Sequence, residues 1–326
     1  MPGKESLQDV FANALDTALR EKLNGVETQE DLNEALQSID VTSLFIQFLD
    51  KTSEGIFHSM KTTMFEEVMK FRADEQEFIA HQEQKWFRAF AASDAMYIMT
   101  LEAAEAYSEY VQKLNEEERV PHAWTYLALQ HIHGRAMQEF LEIVTLMKNG
   151  FADGAYARWR SMYELSVIGI FIKEHGESVA KAFYEASATE DRYDWAKACG
   201  ELFEKRNHVT FSDIQRACDL NTDDWKNQYV LANKVVHASP QGTFARLGNM
   251  GTQSIIPVGR SDFGITTPGE HSAISLAVIS AMFLSIYPEA DALTNVSIIN
   301  RWVNVVREAY FKAHDEVFPD DEPLLN

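Results

Sequence analysis

Residues 155–169 read AYARWRSMYELSVIG, and their meaning decides how the rest of the chain is understood. The stretch has the apolar content of a buried helix, yet it carries Arg158, Arg160, Tyr163 and Glu164. Arg160 and Glu164 are four residues apart, so on a helix they share a face and can pair. Tyr163 follows Arg160 by three residues and lies on the same broad side. A charge buried without a partner costs several kcal/mol, in the general case of about 3–5 kcal/mol for a broken pair. Two readings are open. The pair can be an internal salt bridge that sets helix register, or Arg160 can face a pocket and grip an anion, phosphate above all, through its planar fork.

The neighbouring segments extend the helical period in both directions. Residues 121–148 place Trp124, Leu127, Ile132, Met137, Phe140, Leu141 and Val144 on an inner face, and Asn149-Gly150 supplies a stop signal. With the stretch above they predict an antiparallel helical hairpin. Residues 5–38 predict two short amphipathic helices broken at Asn24-Gly25, the second opened by Thr28 as its cap. From Val41 the stripe of Leu44, Phe45, Phe48 and Leu49 continues through Phe57, Met60, Met64, Phe65, Val68 and Phe71. No proline interrupts residues 41–114, and breaks are expected near 72–76 and 91–94. Glu116-Glu117-Glu118-Arg119 before Pro121 reads as a solvated turn and a boundary between residues 1–118 and 119–326. Further helices are expected over 177–208, 211–220, 222–238, 269–287 and 295–316, capped in one case by Thr210 or Ser212.

Residues 242–269 differ, holding six of the fifteen glycines, and predict a long loop with room for a small hairpin at 254–258 and 263–266. The fold class expected is all-α, a multi-helix bundle with that one glycine-rich interruption.

Composition narrows the functional classes. The net charge of −21 disfavours a general surface for nucleic acid or anionic membrane. Residues 205–260 alone reverse the bias, with seven basic and four acidic side chains. The longest apolar stretch, 273–287, is broken by Ser275, Ser280 and Ser285 and reads as a buried helix, so no membrane partner is expected. Two cysteines, Cys199 and Cys218, build no disulfide framework, and the expected location is cytoplasmic. His131 and His133 point about 200° apart on a helix and cannot share an ion. No Glu-x-x-His pair completes the Glu102, Glu105 and Glu109 face. Neither a metal nor a cofactor is expected. Phosphate-binding loops and a Gly-x-Ser-x-Gly elbow are absent from the sequence.

A second polar set, Lys226, Tyr229, Asn233 and His237, is spaced by three, four and four residues inside the one stretch that is not acidic. Histidine is the natural proton carrier for phosphodiester cleavage through a ribose 2′-hydroxyl. The segment Leu231-Ala-Asn-Lys-Val-Val-His237 resembles the motif of the HEPN superfamily (higher eukaryotes and prokaryotes nucleotide-binding), in which Arg-Asn, three variable residues and His lie on a helix. Asn233 and His237 match it, and Ala232 stands at the arginine position. The Gly150 to Gly154 turn, the Arg160 to Glu164 helix and the Tyr229 to His237 helix also resemble an uncharacterised bacterial family of helical proteins.

The HEPN resemblance implies a helical fold, homo-oligomerisation and, in many members, metal-independent RNA cleavage in toxin or antiviral defence systems. Under it, His237 is the candidate acid or base and Asn233 an orienting group; Arg160, which is not part of the motif, is the candidate on the neighbouring helix to replace the missing arginine. Tyr163, Glu164, Tyr229 and Lys226 would contact RNA or a nucleotide. The alternative is a non-catalytic module for a ligand or a partner protein, the latter meeting the acidic N-terminal helices. The catalytic reading requires the 155–169 and 222–238 helices to touch, whereas in the alternative Arg160 and Glu164 are a structural pair.

Overall fold

The computed structural model describes residues 7–26, 28–38, 40–190, 192–218, 223–237, 240–244, 247–248 and 258–319. Among these residues the chain is all-α, with thirteen helices and no strand. It forms two compact units, residues 1–75 and 76–326.

The first unit contains α1 (Leu7–Leu23), α2 (Gln29–Gln37) and most of α3 (Val41–Lys85). Gly25, at φ +88°, makes the turn after α1, a conformation that other residues avoid. The Thr28 hydroxyl accepts from the Asp31 amide at 3.2 Å and caps α2, as its position in the sequence predicts. Phe11 meets Phe45 edge-on at 4.9 Å, which ties α1 to the start of α3.

The expected breaks in the 41–114 run are not where the helix bends. α3 continues through 72–76, where Arg72, Ala73, Glu75 and Gln76 are good helix formers and no glycine or proline intervenes. The next helix, α4 (Phe87–Lys113), likewise runs through 91–94. The interruption is at Trp86, at φ −104° and ψ 15°. Its fully buried ring sits 6.3 Å from Tyr310 and 6.4 Å from Phe318, so packing rather than local propensity bends the chain there.

In the second unit, α5 (Glu116–Arg119) is a single turn closed by a capping box between Asn115 and Glu118. It leads through a short 3₁₀ turn into α6 (Ala123–Lys148) and then α7 (Ala152–His175). These two form the expected hairpin, its corner at Gly150 with φ +74°. Leu141, expected on the inner face of α6, is 38% exposed instead. α8 (Glu177–Ala186), α9 (Phe211–Ala217), α10 (Asp223–Val236) and α11 (Pro240–Phe244) follow. Thr210 caps α9 through the Asp213 amide. α12 (Thr266–Leu284) packs against α4, α6, α7 and α13 (Ala290–Val317), which is why its apolar residues run all round it. Gly169 lets α7 approach α12, since a Cβ there would lie 2.8 Å from Met282.

The 254–257 part of the expected hairpin lies outside the described residues. Phe263-Gly264-Ile265 is not a strand but an irregular lead into α12, turned by Gly264 at φ +80°. The glycine-rich segment is anchored to the α6–α7 corner. Asp153 accepts from the Leu247 amide at 2.7 Å and the Gly248 amide at 3.4 Å. Arg260 donates to the Asn149 carbonyl at 2.8 Å and the Ser261 amide to the Gly150 carbonyl at 3.0 Å.

Candidate functional site

Helices α7 and α10 do touch, and the contact is built from the polar residues that the sequence sets apart. Arg160 pairs with Glu164 at 2.8 Å, one helical turn apart. The same Glu164 oxygen accepts the Tyr229 hydroxyl at 2.9 Å from across the interface. The Arg160 guanidinium lies 5.7 Å from the centre of the Tyr229 ring, within reach of a cation–π attraction. Tyr229 stacks on Tyr163 with ring centres 4.6 Å apart, and Trp225 closes on Tyr163 edge-first at 5.1 Å. Gln215 of α9 donates to the Tyr163 hydroxyl at 2.5 Å. One turn before Arg160 in α7, the Tyr156 hydroxyl donates to the Gln228 carbonyl at 2.8 Å.

Burial raises the phenol pKa of Tyr163, and burial followed by the Glu164 charge pushes Tyr229 up to about 12. Both hydroxyls therefore remain protonated near neutral pH, and Tyr229 is a donor to the carboxylate. Each of Arg160, Glu164 and Tyr229 is thus engaged with the other two. Arg160 and Glu164 keep side-chain exposures of 27% and 18%, so the pair is shielded but not dry. Replacing Arg160 by Met is expected to cost about 1–3 kcal/mol, between the values for exposed and buried pairs. In a double-mutant cycle with Tyr229→Phe, read by urea denaturation, a coupling above about 0.5 kcal/mol is expected. Strict additivity would show that the three groups do not act together.

The remaining residues of the expected site are not gathered there. Trp225 lies at Tyr163 and Gln228 at Tyr156, so α10 runs antiparallel to α7. His237 is eight residues beyond Tyr229, about 12 Å along a helix axis. It is therefore carried toward the start of α7, away from Arg160, and is exposed just after α10 ends. Asn233 is half-buried one turn past Tyr229, and Lys226 is exposed.

Two features escaped the sequence reading. Arg158 finds its partners on α6, where it meets Glu142 and lies 3.5 Å from Glu139. Glu139 is fully buried and also accepts from Arg135 at 2.9 Å and from the Ser161 hydroxyl at 3.0 Å. The only signal for it was an Arg135–Glu139 spacing of four, the pattern of an ordinary surface pair. The second feature is a cleft of about 440 Å³ between α6, α8 and the segment before residue 195. Phe183, Tyr184 and Trp195 wall it, and among the described residues His131 and Arg192 are the basic side chains that line it. His131 opens onto this cleft, whereas His133 is buried against Ser280 at 3.2 Å, the divergence that their spacing requires. Among the described residues no group of three or more His, Cys, Asp or Glu side chains is arranged to hold a metal ion.

With this geometry in place, the comparisons with known proteins add one match. Residues 126–204 match a family of unknown function, DUF5677. No curated protein and no solved structure matches the chain. The DUF5677 segment contains Arg160, Tyr163 and Glu164 and every residue that lines the 440 Å³ cleft, while Tyr229, Asn233 and His237 lie beyond it. None of the helices among the described residues is long and apolar enough to cross a membrane.

Proposed function

We propose that this chain is a non-catalytic helical module that binds a small planar anion of the nucleotide type in the cleft between α6 and α8. The observation that carries the reading is the lining of that cleft. Three aromatic side chains offer stacking faces, and Arg192 and His131 are the basic side chains among the described lining residues. Among the described residues no carboxylate lines it, in a chain with 50 acidic against 29 basic residues. A volume near 440 Å³ falls in the range of small-molecule sites, roughly 300–1,000 Å³. Arg–phosphate contacts and base stacking are the interactions that such a lining provides.

The Arg160, Glu164 and Tyr229 cluster is then a structural clamp between α7 and α10. A metal-independent nuclease centred on His237 is the competing reading, and the HEPN resemblance carries it together with the exposure of His237. It has less support, because Arg160 is engaged by Glu164 and Tyr229 while His237 stands about two turns away.

Isothermal titration with a nucleoside 5′-monophosphate and with the matching nucleoside separates the two. Binding of the phosphorylated form is expected, weakened about 10- to 100-fold by Arg192→Ala, as the loss of a charge-assisted hydrogen bond requires. Affinity unchanged by that substitution would remove the cleft as the site. RNA incubated with the protein in chelator is expected to stay intact. Cleavage that His237→Ala abolishes would replace this proposal with the nuclease.

A further inference from the structure

The first unit holds a feature that neither reading uses. Along α3, Ile46, Leu49, Phe57, Met60, Met64, Val68 and Phe71 are each 38–66% exposed. With Ser53 they are spaced 3, 4, 4, 3, 4, 4 and 3 residues apart. At about 100° per residue these eight positions stay within an arc of roughly 100°. An 11-residue repeat of this kind gives a nearly straight stripe that matches a partner helix of the same period. A row of large apolar side chains in water marks a contact surface.

The spacing is also a palindrome. In every symmetric pair of the series the two residue numbers add to the same value, so the stripe reads the same from either end. We propose that this face of α3 pairs antiparallel with the same face of a second copy of the chain. The twofold axis passes between His58 and Ser59. Ile46 then faces the partner's Phe71, Leu49 the partner's Val68, Ser53 the partner's Met64, and Phe57 the partner's Met60. The one polar member is already satisfied, because the Ser53 hydroxyl donates to the Asp50 carbonyl at 2.9 Å.

Charge fits the same register. Residues 46–72 carry four acidic and four basic side chains, so two copies do not repel as chains of net charge −21 otherwise would. Glu54 and Lys61 lie on the same flank of the stripe. Antiparallel pairing sets Glu54 about 3 Å along the axis from the level of the partner's Lys61, and symmetry repeats the pair. Lys61 already leans over the stripe, with its ammonium 4.3 Å from the centre of its own Phe57 ring. The seven apolar side chains expose on the order of 600 Å² per copy, the lower edge of the roughly 1,200–2,000 Å² of a stable interface.

Sedimentation equilibrium on the full chain tests this. A mass twice that of the 37.1 kDa chain is expected at tens of micromolar, and Phe57→Glu should give a monomer with unchanged far-ultraviolet circular dichroism. Lys61→Glu should weaken association by roughly tenfold, and Glu54→Lys added to it should restore the dimer. This reversal distinguishes pairing from misfolding. Under oxidation, Ile46→Cys mixed with Phe71→Cys should give a 46–71 disulfide between chains, with neither variant linking to itself at that position. A monomeric wild type, a dimer indifferent to Phe57→Glu, or self-linking of Ile46→Cys would each overturn the proposal.

Discussion

Between about pH 6.5 and pH 4 the folded protein is expected to lose about 1.4 kcal/mol of stability per pH unit through His133 alone. The ring is 4% exposed, and burial lowers its pKa to about 4 from an ordinary value near 6.5. Burial is the cause of this shift. The Ser280 hydroxyl gives its proton to the Leu276 carbonyl at 2.7 Å, so the His133 Nε2 donates to the Ser280 oxygen, and burial keeps the ring neutral. The sign follows. Below pH 6.5 the unfolded chain takes up a proton that the folded chain refuses, so acid favours unfolding. The loss reaches roughly 3 kcal/mol near pH 4, where the folded ring protonates too. Burial shifts His271 in the same direction and adds to the effect. Urea midpoints at pH 7, 5.5 and 4.5 measure the slope, and His133→Gln should flatten it by about 1.4 kcal/mol per unit. An equal slope in the variant would show that His133 is not the titrating group.

The second large effect is expected from Trp159, which stands beside Arg160 on the inner side of α7. Its ring is fully buried, stacked on Tyr156 at 5.1 Å with planes 8° apart, and met edge-on by His271 at 5.1 Å. The indole nitrogen donates to the Ser275 hydroxyl at 3.0 Å, which joins α7 to α12. Trp159→Ala removes this contact and opens a cavity between two helices that both pack on α6, a change worth about 3–5 kcal/mol. The melting temperature should fall by roughly 10 °C. A fall of only one or two degrees would mean that α7 and α12 close over the missing ring.

These two residues show what the sequence could and could not convey. The helical period identified the α6–α7 hairpin and its corner, because apolar spacing and an Asn149-Gly150 stop are local signals. It also brought α7 and α10 together correctly, since both carried polar residues on an otherwise apolar face. What period cannot convey is position along the axis. Lys226, Tyr229, Asn233 and His237 share a stripe, but the stripe is about 16 Å long, and one turn of it meets Arg160. The bend at Trp86 was hidden for a related reason. It is dictated by Tyr310 and Phe318, more than 200 residues away in the chain. Glu139 was hidden by its resemblance to a surface residue, since only the folded hairpin brings Arg158 and Ser161 over it.

The corner at Gly150 has one more effect. It holds the chain on both sides of residues 249–257, with Leu247 and Gly248 tied to Asp153 and with Arg260 and Ser261 tied to Asn149 and Gly150. Residues 247–248 and 260–261 are therefore held at one corner of the helical body. Closing the chain between those ties costs loop entropy that grows slowly with length, by about 0.6 kcal/mol for each doubling. The hydrogen bonds of Asp153, Asn149 and Gly150 thus act as a clasp that fixes where both flanks of the segment begin, whatever its length.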